Sequence, residues 1–439
     1  MHITVMGTGY VGLVVGAGLA DFGLMVTCVD INQEKIGLLK EGKVPIFEPG
    51  LEEIVRRNVE RGRLCFSTDI KQAIRNCLVI FVAVGTDAGP DGVADLSQIW
   101  SAADQIAQSM EDYKIVVIKS SVPVGTTAGL EARMQQSLSG RNGHLDFDLI
   151  SNPEFLREGS AIEDFFHPDR IIVGSRSERA AAIIKDIYRP LYLIETPFMF
   201  TTWESAELAK YAANAFLALK VSFVNELANL CDAVGANADV HVVARCLGLD
   251  RRIGGKFLHP GPGFGGYCFP KDTRALAQAA RKVGEQFQTV EAAIEVNDRQ
   301  FGRVVDKIEK GLGSLEDKAV AVLGLSFKPN TDDVRESRSL KICEALLAAK
   351  CKLRVFDPVA MAQARRVLND AVTYCSDCYE AVTDCDAAVI ATEWNEFRNL
   401  DLERVKQSMR GDLLVDAKNI FDPARAKCAG FRYYGTGRR

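Results

Sequence analysis

The stretch that most limits what this chain can become is its opening. "HITVMGTGYVG" reads as a short β-strand running into Gly7-x-Gly9-x-x-Gly12. "LVVGAGLADFG" follows, small and apolar enough to pack a helix closely on a sheet, and "MVTCVD" gives a second strand ending at Asp30. Strand, glycine turn, helix and terminal acid together form the setting in which a dinucleotide is bound. Gly7 permits the tight turn, Gly9 lets the backbone approach a pyrophosphate, and Gly12 lets helix and strand touch. The pyrophosphate is expected on the helix N-terminus, where free N–H groups point outward. Asp30 suits a ribose diol, and a 2′-phosphate there would meet a like charge, which favours NAD over NADP; Lys35 weighs the other way.

Further strands follow: "LVIFVAV" into Gly85-Thr86, "KIVVIKSS" into Val122-Pro123, and "FDLISNPEF". They alternate with helical stretches, as a parallel sheet with crossover helices requires. Ligands of such sheets lie beyond the carboxyl ends of the strands, which singles out Thr86, Ser121 and the Glu154–Glu158 segment. From Trp203 to Gly235 no proline and no earlier glycine interrupts a run rich in Ala, Leu, Glu and Lys. It predicts one helix on the order of 45 Å long. That helix is apolar on more than one face, so it is expected to be buried on several sides and to offer a dimer core. Lys210 and Asn214, four apart, project from one of its faces. Near Lys318 the strand alternation resumes with "KAVAVLGLSFKPNTDDVRES", "CKLRVFDP", "AAVIAT" and "LLVDAKN". This second doubly wound domain lacks the dinucleotide glycines but carries Lys328 and Arg335 in its first loop, which points to the nucleotide part of a substrate. The fold class is α/β: two doubly wound Rossmann-like domains joined by a long central helix, divided as residues 1–200, 201–300 and 301–439.

Bulk properties exclude several function classes. The 439 residues are 47% hydrophobic and 25% charged, as in soluble globular proteins. A net charge of -5 gives no general pull toward nucleic acid or an anionic membrane. No apolar run reaches the roughly 18 residues of a membrane span, and the N-terminus shows no secretory signal. A cytoplasmic protein is expected, its twelve cysteines mostly reduced core residues. Cys375 and Cys378 form a lone C-x-x-C without a second pair, which reads as packing thiols and not as a zinc site.

One cysteine stands apart. In "GPGFGGYCFPKD", Cys268 lies in a loop ahead of the helical "DTRALAQAA", where Asp272 would cap or begin the helix. Gly263, Gly265 and Gly266 are expected to let the backbone approach a ligand and offer N–H groups to phosphate oxygens. Lys271 and a helix N-terminus would favour thiolate over a free thiol of pKa about 8.5. On a chain that binds NAD, a nucleophile has a use. A thiolate that attacks an aldehyde makes the tetrahedral carbon a second hydride can leave, and the resulting thioester is hydrolysed. Lys and Asn donors would stabilise the oxyanions, and carboxylates would manage water and protons.

In order along the chain, "GTGYVG", "FEPGL", "SSVPVGTT", "NPEFLREG", "ELAKYAANAF", "GPGFGGYCFPKD" and "LSFKPNTDDVRES" resemble the motifs of the nucleotide-sugar 6-dehydrogenases, over nearly the whole length. The resemblance implies oxidation of UDP-glucose to UDP-glucuronate, two NAD per sugar, and a homodimer built on the long helix. It makes Cys268 the nucleophile and has Lys210, Asn214 and Asp272 assist through oxyanion stabilisation and a bound water. It gives Glu154 a part in thioester hydrolysis and Ser121 a hydroxyl for water. It implies cofactor contacts at Gly7, Gly9, Val11, Gly12, Asp30, Lys35, Thr86, Ser121, Glu158, Lys271 and Arg335. The sugar nucleotide falls to Glu154, Phe155, Leu156, Arg157, Glu158, Lys210, Asn214, Phe257, Leu258, His259, Pro260, Gly261, Gly265 and Lys328. Arg252 matches an arginine that in relatives reaches the substrate of the other subunit. Four positions depart from the family pattern: Tyr267 for a small Ser, Ser121 for Thr, Asp87 where Pro is frequent, and Lys418 where Arg is common. They bear on the sugar, and a sister activity on GDP-mannose or a UDP-N-acetylhexosamine stays open, although Phe269 stands where the GDP-mannose group usually has Leu. A two-electron dehydrogenase of the β-hydroxyacid type would not need Cys268. A non-catalytic nucleotide-binding protein would not be expected to keep Cys268, Lys210 and Asp272 together.

Overall fold

The computed structural model describes every residue of the chain except 88, 90–92, 142–144, 236 and 439. The chain forms two compact units, Met1–Ala213 and Asn214–Arg439.

The first unit is built on an eight-stranded sheet in the order β3-β2-β1-β4-β5-β6-β7-β8. Its strands are β1 (His2–Met6), β2 (Met25–Val29), β3 (Leu64–Ser67), β4 (Val79–Val82), β5 (Lys114–Ile118), β6 (Phe147–Ser151), β7 (Ile171–Ser175) and β8 (Phe198–Thr201). The strand order reverses between β1 and β4, the switch point where doubly wound sheets open a crevice for ligand. Both faces are covered. Along β5, Ile115 and Val117 enter one apolar cluster, while Val116 and Ile118 enter the other, as a period of two dictates. The strands expected from the sequence up to β6 are parallel, whereas β7, not singled out there, runs antiparallel to β6, through Ile150↔Ser175 and Ser151↔Gly174. The link between them contains one six-residue helix, Ala161–Phe166.

The nucleotide helix (Tyr10–Asp21) lies very close to the strands. A Cβ on Gly12 would sit 2.0 Å from the Gly7 carbonyl oxygen, and one on Gly16 would sit 2.3 Å from Cys28 Sγ. Gly7 itself has a φ of 96° and is pressed against the Ala83 carbonyl. Around Gly9 a Cβ would meet nothing within 4 Å. The motif "SSVPVGTT" opens the helix Thr126–Ser139, whose N-terminal donors are taken by buried Glu207: Gly125 N–H at 2.7 Å, Thr127 N–H at 2.8 Å and Thr127 Oγ1 at 2.6 Å.

The second unit carries a six-stranded, all-parallel sheet in the order β11-β10-β9-β12-β13-β14. Its strands are β9 (Ala319–Leu323), β10 (Lys352–Phe356), β11 (Thr373–Tyr374), β12 (Ala387–Ile390), β13 (Leu413–Asp416) and β14 (Arg432–Gly435). The order repeats the outward-from-the-centre winding of the first sheet, with apolar clusters again on both faces. The central helix runs unbroken over Trp203–Val234, so Lys210 belongs to the first unit and Asn214, one turn later, to the second. Its burial is less complete than its composition implies. Phe216, Phe223 and Leu230, seven residues apart, are 62%, 50% and 58% exposed in the single chain. Apolar composition measures what a helix can bury, and one chain offers partners to only part of this one.

The two glycines of the nucleotide turn are expected to respond differently to a methyl group. Gly12→Ala must push helix and turn apart, at a cost of about 1–3 kcal/mol, and should lower the thermal midpoint in calorimetry. Gly9→Ala should leave that midpoint nearly unchanged and weaken NAD binding in a titration. Equal thermal effects from both would contradict the close approach at Gly12.

Candidate functional site

At the end of β2, Asp30 organises the nucleotide turn. Its Oδ2 accepts the Thr8 N–H at 2.8 Å and the Thr8 hydroxyl at 2.7 Å, and its Oδ1 accepts the Asn32 N–H at 2.9 Å. Burial alone would raise this carboxyl, but the Asn32 and Thr8 donors outweigh it and hold Asp30 below the usual range. The carboxylate at the end of β2 is therefore favoured in its ionised form. The Lys35 ammonium lies 3.9 Å from Asp30 Oδ2, turned to the carboxylate. The room over Gly9 and the ionised strand-end acid fit a dinucleotide. Thr86 is buried just beyond β4, and Ser121, half-buried, follows β5, the next strand. Val11 and Glu158 are also half-buried.

Beyond β6, Glu154 is buried beside Lys210. Its Oε1 lies 3.4 Å from Lys210 Nζ, and its Oε2 accepts the Leu156 N–H at 2.5 Å. The Phe155 ring stacks under the Arg170 guanidinium at 3.5 Å, with Lys210 Nζ 5.1 Å away. The structure thus joins Glu154, Phe155, Leu156 and Lys210. Arg157 is exposed and engaged with Asp164. Lys119 was not singled out from sequence. It is fully buried, with Nζ 3.0 Å from Asn152 Oδ1 and 3.4 Å from the Tyr188 hydroxyl. Burial pushes its ammonium down to about 8, opposed by the charge of Glu154. A lysine one residue past a β-strand carries no sequence signal for such a setting.

In the second unit the thiol helix runs over Cys268–Lys282, so Cys268 is its first residue and Tyr267 its N-cap. The alternative for Asp272, that it only caps or begins this helix, does not hold. Asp272 lies inside it, 1% exposed, between two donors: Lys271 Nζ at 2.7 Å and Asn214 Nδ2 at 2.6 Å. The helix starts earlier because Pro270 is tolerated in a first turn, where no N–H partner is needed.

The glycines ahead of the thiol lie close against the rest of their unit. A Cβ on Gly263 would meet Asn297 Oδ1 at 2.6 Å, one on Gly265 the Glu336 carbonyl oxygen at 2.3 Å, and one on Gly266 the Phe327 ring at 2.6 Å. The Gly266 N–H is taken by the Arg335 carbonyl at 2.9 Å. These glycines let the loop pack against the protein itself. Buried Asn297 pairs with both the N–H and the carbonyl of Phe264, at 2.6 and 3.0 Å, and Arg338 Nε donates to the same carbonyl at 3.0 Å. Asn297 and Arg338 went unnoticed in the sequence because each lies in a separate helix with ordinary helical composition.

Of the remaining expected residues, Leu258, Pro260 and Gly261 are buried and Phe257 is half-buried, while His259 is exposed. Gly261 N–H donates to Asn225 Oδ1 at 2.8 Å. Phe257 has a φ of 63°, a strained conformation for an aromatic residue. Lys328 lies 5.7 Å over the Phe327 ring. Arg335 pairs with Asp333 at 2.7 Å and covers the Tyr267 ring at 4.3 Å, with Lys271 5.4 Å from that ring. Arg252 is exposed and pairs with Asp250 at 2.6 Å. Lys418 pairs with Glu393 at 2.9 Å.

The second sheet also has a strand-end acid, Asp357 after β10, which corresponds to Asp30 by topology. It is 1% exposed and consumed by donors from Leu325, Ser326, Val359, Ala360 and the Trp394 indole. Nothing of it is left for a ribose, in keeping with a missing glycine fingerprint.

Comparison with known proteins agrees with this geometry. Residues 1–192 match the NAD binding domain of the UDP-glucose/GDP-mannose dehydrogenase family, 204–299 its central domain and 321–423 its UDP binding domain. The chain is 48% identical to a UDP-glucose 6-dehydrogenase of Rhizobium meliloti (strain 1021), over 100% of both. It is 45% identical to the UDP-glucose 6-dehydrogenase TuaD of Bacillus subtilis (strain 168), over 99% of this chain and 93% of that one. The solved UDP-glucose dehydrogenase of Pyrobaculum islandicum superposes with a TM-score of 0.91 at 40% identity, covering 100% of this chain and 98% of that one. The chain belongs to the UDP-glucose/GDP-mannose dehydrogenase family, whose members are NAD-dependent oxidoreductases.

Proposed function

We propose that this protein oxidises the C6 alcohol of UDP-glucose to the carboxylate of UDP-glucuronate, consuming two NAD and one water. The observation that carries the reading is Cys268 at the head of its helix, with the buried Asn214–Asp272–Lys271 cluster in the turns behind it. Similarity over the full length to relatives named for UDP-glucose supports that sugar.

NAD, when bound, supplies the hydride acceptor for both oxidations. Gly7, Gly9, Val11, Gly12, Asp30, Lys35, Thr86, Ser121, Glu158, Lys271 and Arg335 are the residues proposed to hold it. Lys210 and Asn214 donate to the oxygen on C6. Asp272 occupies one Asn214 amide hydrogen and leaves the second for this oxygen. Cys268 Sγ bonds to the aldehyde carbon and gives a thiohemiacetal, whose oxidation gives a thioester. Glu154 and Ser121 orient water toward the thioester carbonyl. The C–S bond breaks, the acid leaves, and Cys268 is restored. Phe155, Leu156, Arg157, Glu158, the Phe257–Gly261 stretch, Gly265 and Lys328 hold the sugar nucleotide, with Arg252 serving a neighbouring subunit.

The same reading divides the chain into a cofactor segment (1–200), a helical segment with the thiol (201–300) and a UDP-sugar segment (301–439). It makes the protein a homodimer through the stripe of Phe216, Phe223 and Leu230, since a spacing of seven keeps these residues on one helix face. It also places the protein in the cytoplasm, in keeping with twelve free thiols.

Four measurements test the reading. Wild-type protein is expected to form two NADH per UDP-glucose; one would indicate simple alcohol oxidation and none a binding protein. Cys268→Ser should abolish sustained turnover, or stop after the first hydride, with NAD affinity nearly unchanged; normal acid formation by this variant would reject the nucleophile. Asp30→Ala should raise the KM for NAD about tenfold or more, the worth of charge-assisted hydrogen bonds; an unchanged KM would contradict the ribose assignment. Phe223→Glu should convert the dimer to monomer in light scattering, and a dimer that survives it would move the interface elsewhere.

A further inference from the structure

The motif "FEPGL" has no part in the chemistry above, yet it supplies a buried carboxylate. Glu48 is 6% exposed. Its Oε1 accepts the Ala161 N–H at 2.7 Å. Its Oε2 accepts the Gly159 N–H at 2.6 Å and the Tyr10 hydroxyl. The Gly159 N–H also lies 2.9 Å from the Tyr10 oxygen, so the three groups close on one another. Tyr10 is the first residue of the nucleotide helix and follows Gly9 directly. Gly159, with a φ of 77°, ends the Glu154–Glu158 segment. The base of the tie is rigid: Leu51 N–H bonds the Glu48 carbonyl at 3.2 Å, and Leu51 is fully buried in the apolar cluster that holds Leu13 and Val14 of the nucleotide helix.

One carboxylate therefore fastens the turn proposed to carry the pyrophosphate to the segment proposed to reach the sugar. We propose that Glu48 is a positioning residue that couples the two ligands, each tightening the other through Tyr10 and Gly159. A ligand on the nucleotide turn restricts Tyr10, and the Tyr10–Glu48–Gly159 bonds pass that restriction to residues 154–159. By linkage the effect runs equally in the opposite direction. The proposal takes its ligand identities from the functional reading above.

The test uses the full chain, with NADH and UDP-glucose as a non-reacting pair, since NADH accepts no hydride. UDP-glucose affinity is measured calorimetrically without and with saturating NADH. Wild type is expected to bind at least about fivefold tighter with NADH. Glu48→Gln keeps the size but places an amide where acceptors are needed, and should reduce the effect below about twofold. Tyr10→Phe keeps both backbone bonds and loses the hydroxyl bridge, and should fall between the two; it carries the test if the Gln variant does not fold. Coupling at the wild-type level in either variant overturns the proposal, whatever happens to the thermal midpoint. Wild type that binds both ligands without coupling overturns it alone. Wild type that does not bind UDP-glucose overturns the functional reading and this inference with it.

Discussion

The chemistry proposed for the second unit rests on one buried carboxylate. Asp272 is almost wholly removed from water, and it holds the Asn214 amide and the Lys271 ammonium at hydrogen-bonding distance. Buried charges are tolerated only when paired and fully hydrogen-bonded. The three side chains must therefore keep their places together. The consequence is positional: the first turns of the thiol helix are locked to the central helix at Asn214. One turn earlier on that helix is Lys210, whose ammonium is paired with Glu154. A single helix thus carries two of the proposed oxyanion donors, and each is set by its own carboxylate.

The two sheets show how one topology reaches two ends. Both place an acid at the end of the second strand in the winding order, Asp30 and Asp357. Asp30 retains part of its surface and is ionised by three local donors. Asp357 is closed over by its own loop and by Trp394. The difference begins in the turn after the first strand. "GTGYVG" leaves open space at Gly9, whereas "LSFKPN" in the corresponding turn has no glycine. The fold supplies the crevice in both cases, and the turn decides whether a dinucleotide can use it.

Those parts of the fold that depend on local chemistry were legible in the sequence: the nucleotide turn, the long helix, and the second run of strands without a glycine fingerprint. Features that depend on which segment lies opposite were not. The direction of β7 follows from how the link after β6 folds. The glycines before Cys268 show in sequence only that space is short, not what lies beside them; within the chain the neighbours are Asn297, Glu336 and Phe327. Asp272 looked like a cap because aspartate favours that position, and only its burial beside Lys271 and Asn214 gives it another task. "FEPGL" marked a motif, but the Glu48 partners lie 38 and more than a hundred residues away in the chain.

Selectivity among the thiols follows from the same distinction between position and surroundings. Cys378, the second cysteine of the C-x-x-C pair, is also the first residue of a helix. There the N-cap is Asp377, the thiol is buried with Cys375 and Cys385 in an apolar cluster, and Glu396 lies nearby. Burial first, then those two carboxylates, push it up to about 11. Burial likewise pushes Cys385 and Cys343 up to about 12. Cys268 has the same place in its helix, but it is half-buried and follows Tyr267, whose ring lies against Arg335 and Lys271. A helix N-terminus alone therefore does not make a nucleophile. At Cys268 the surroundings differ from those of the buried thiols: the residue keeps part of its surface, and the proposal that it is the nucleophile draws on that difference.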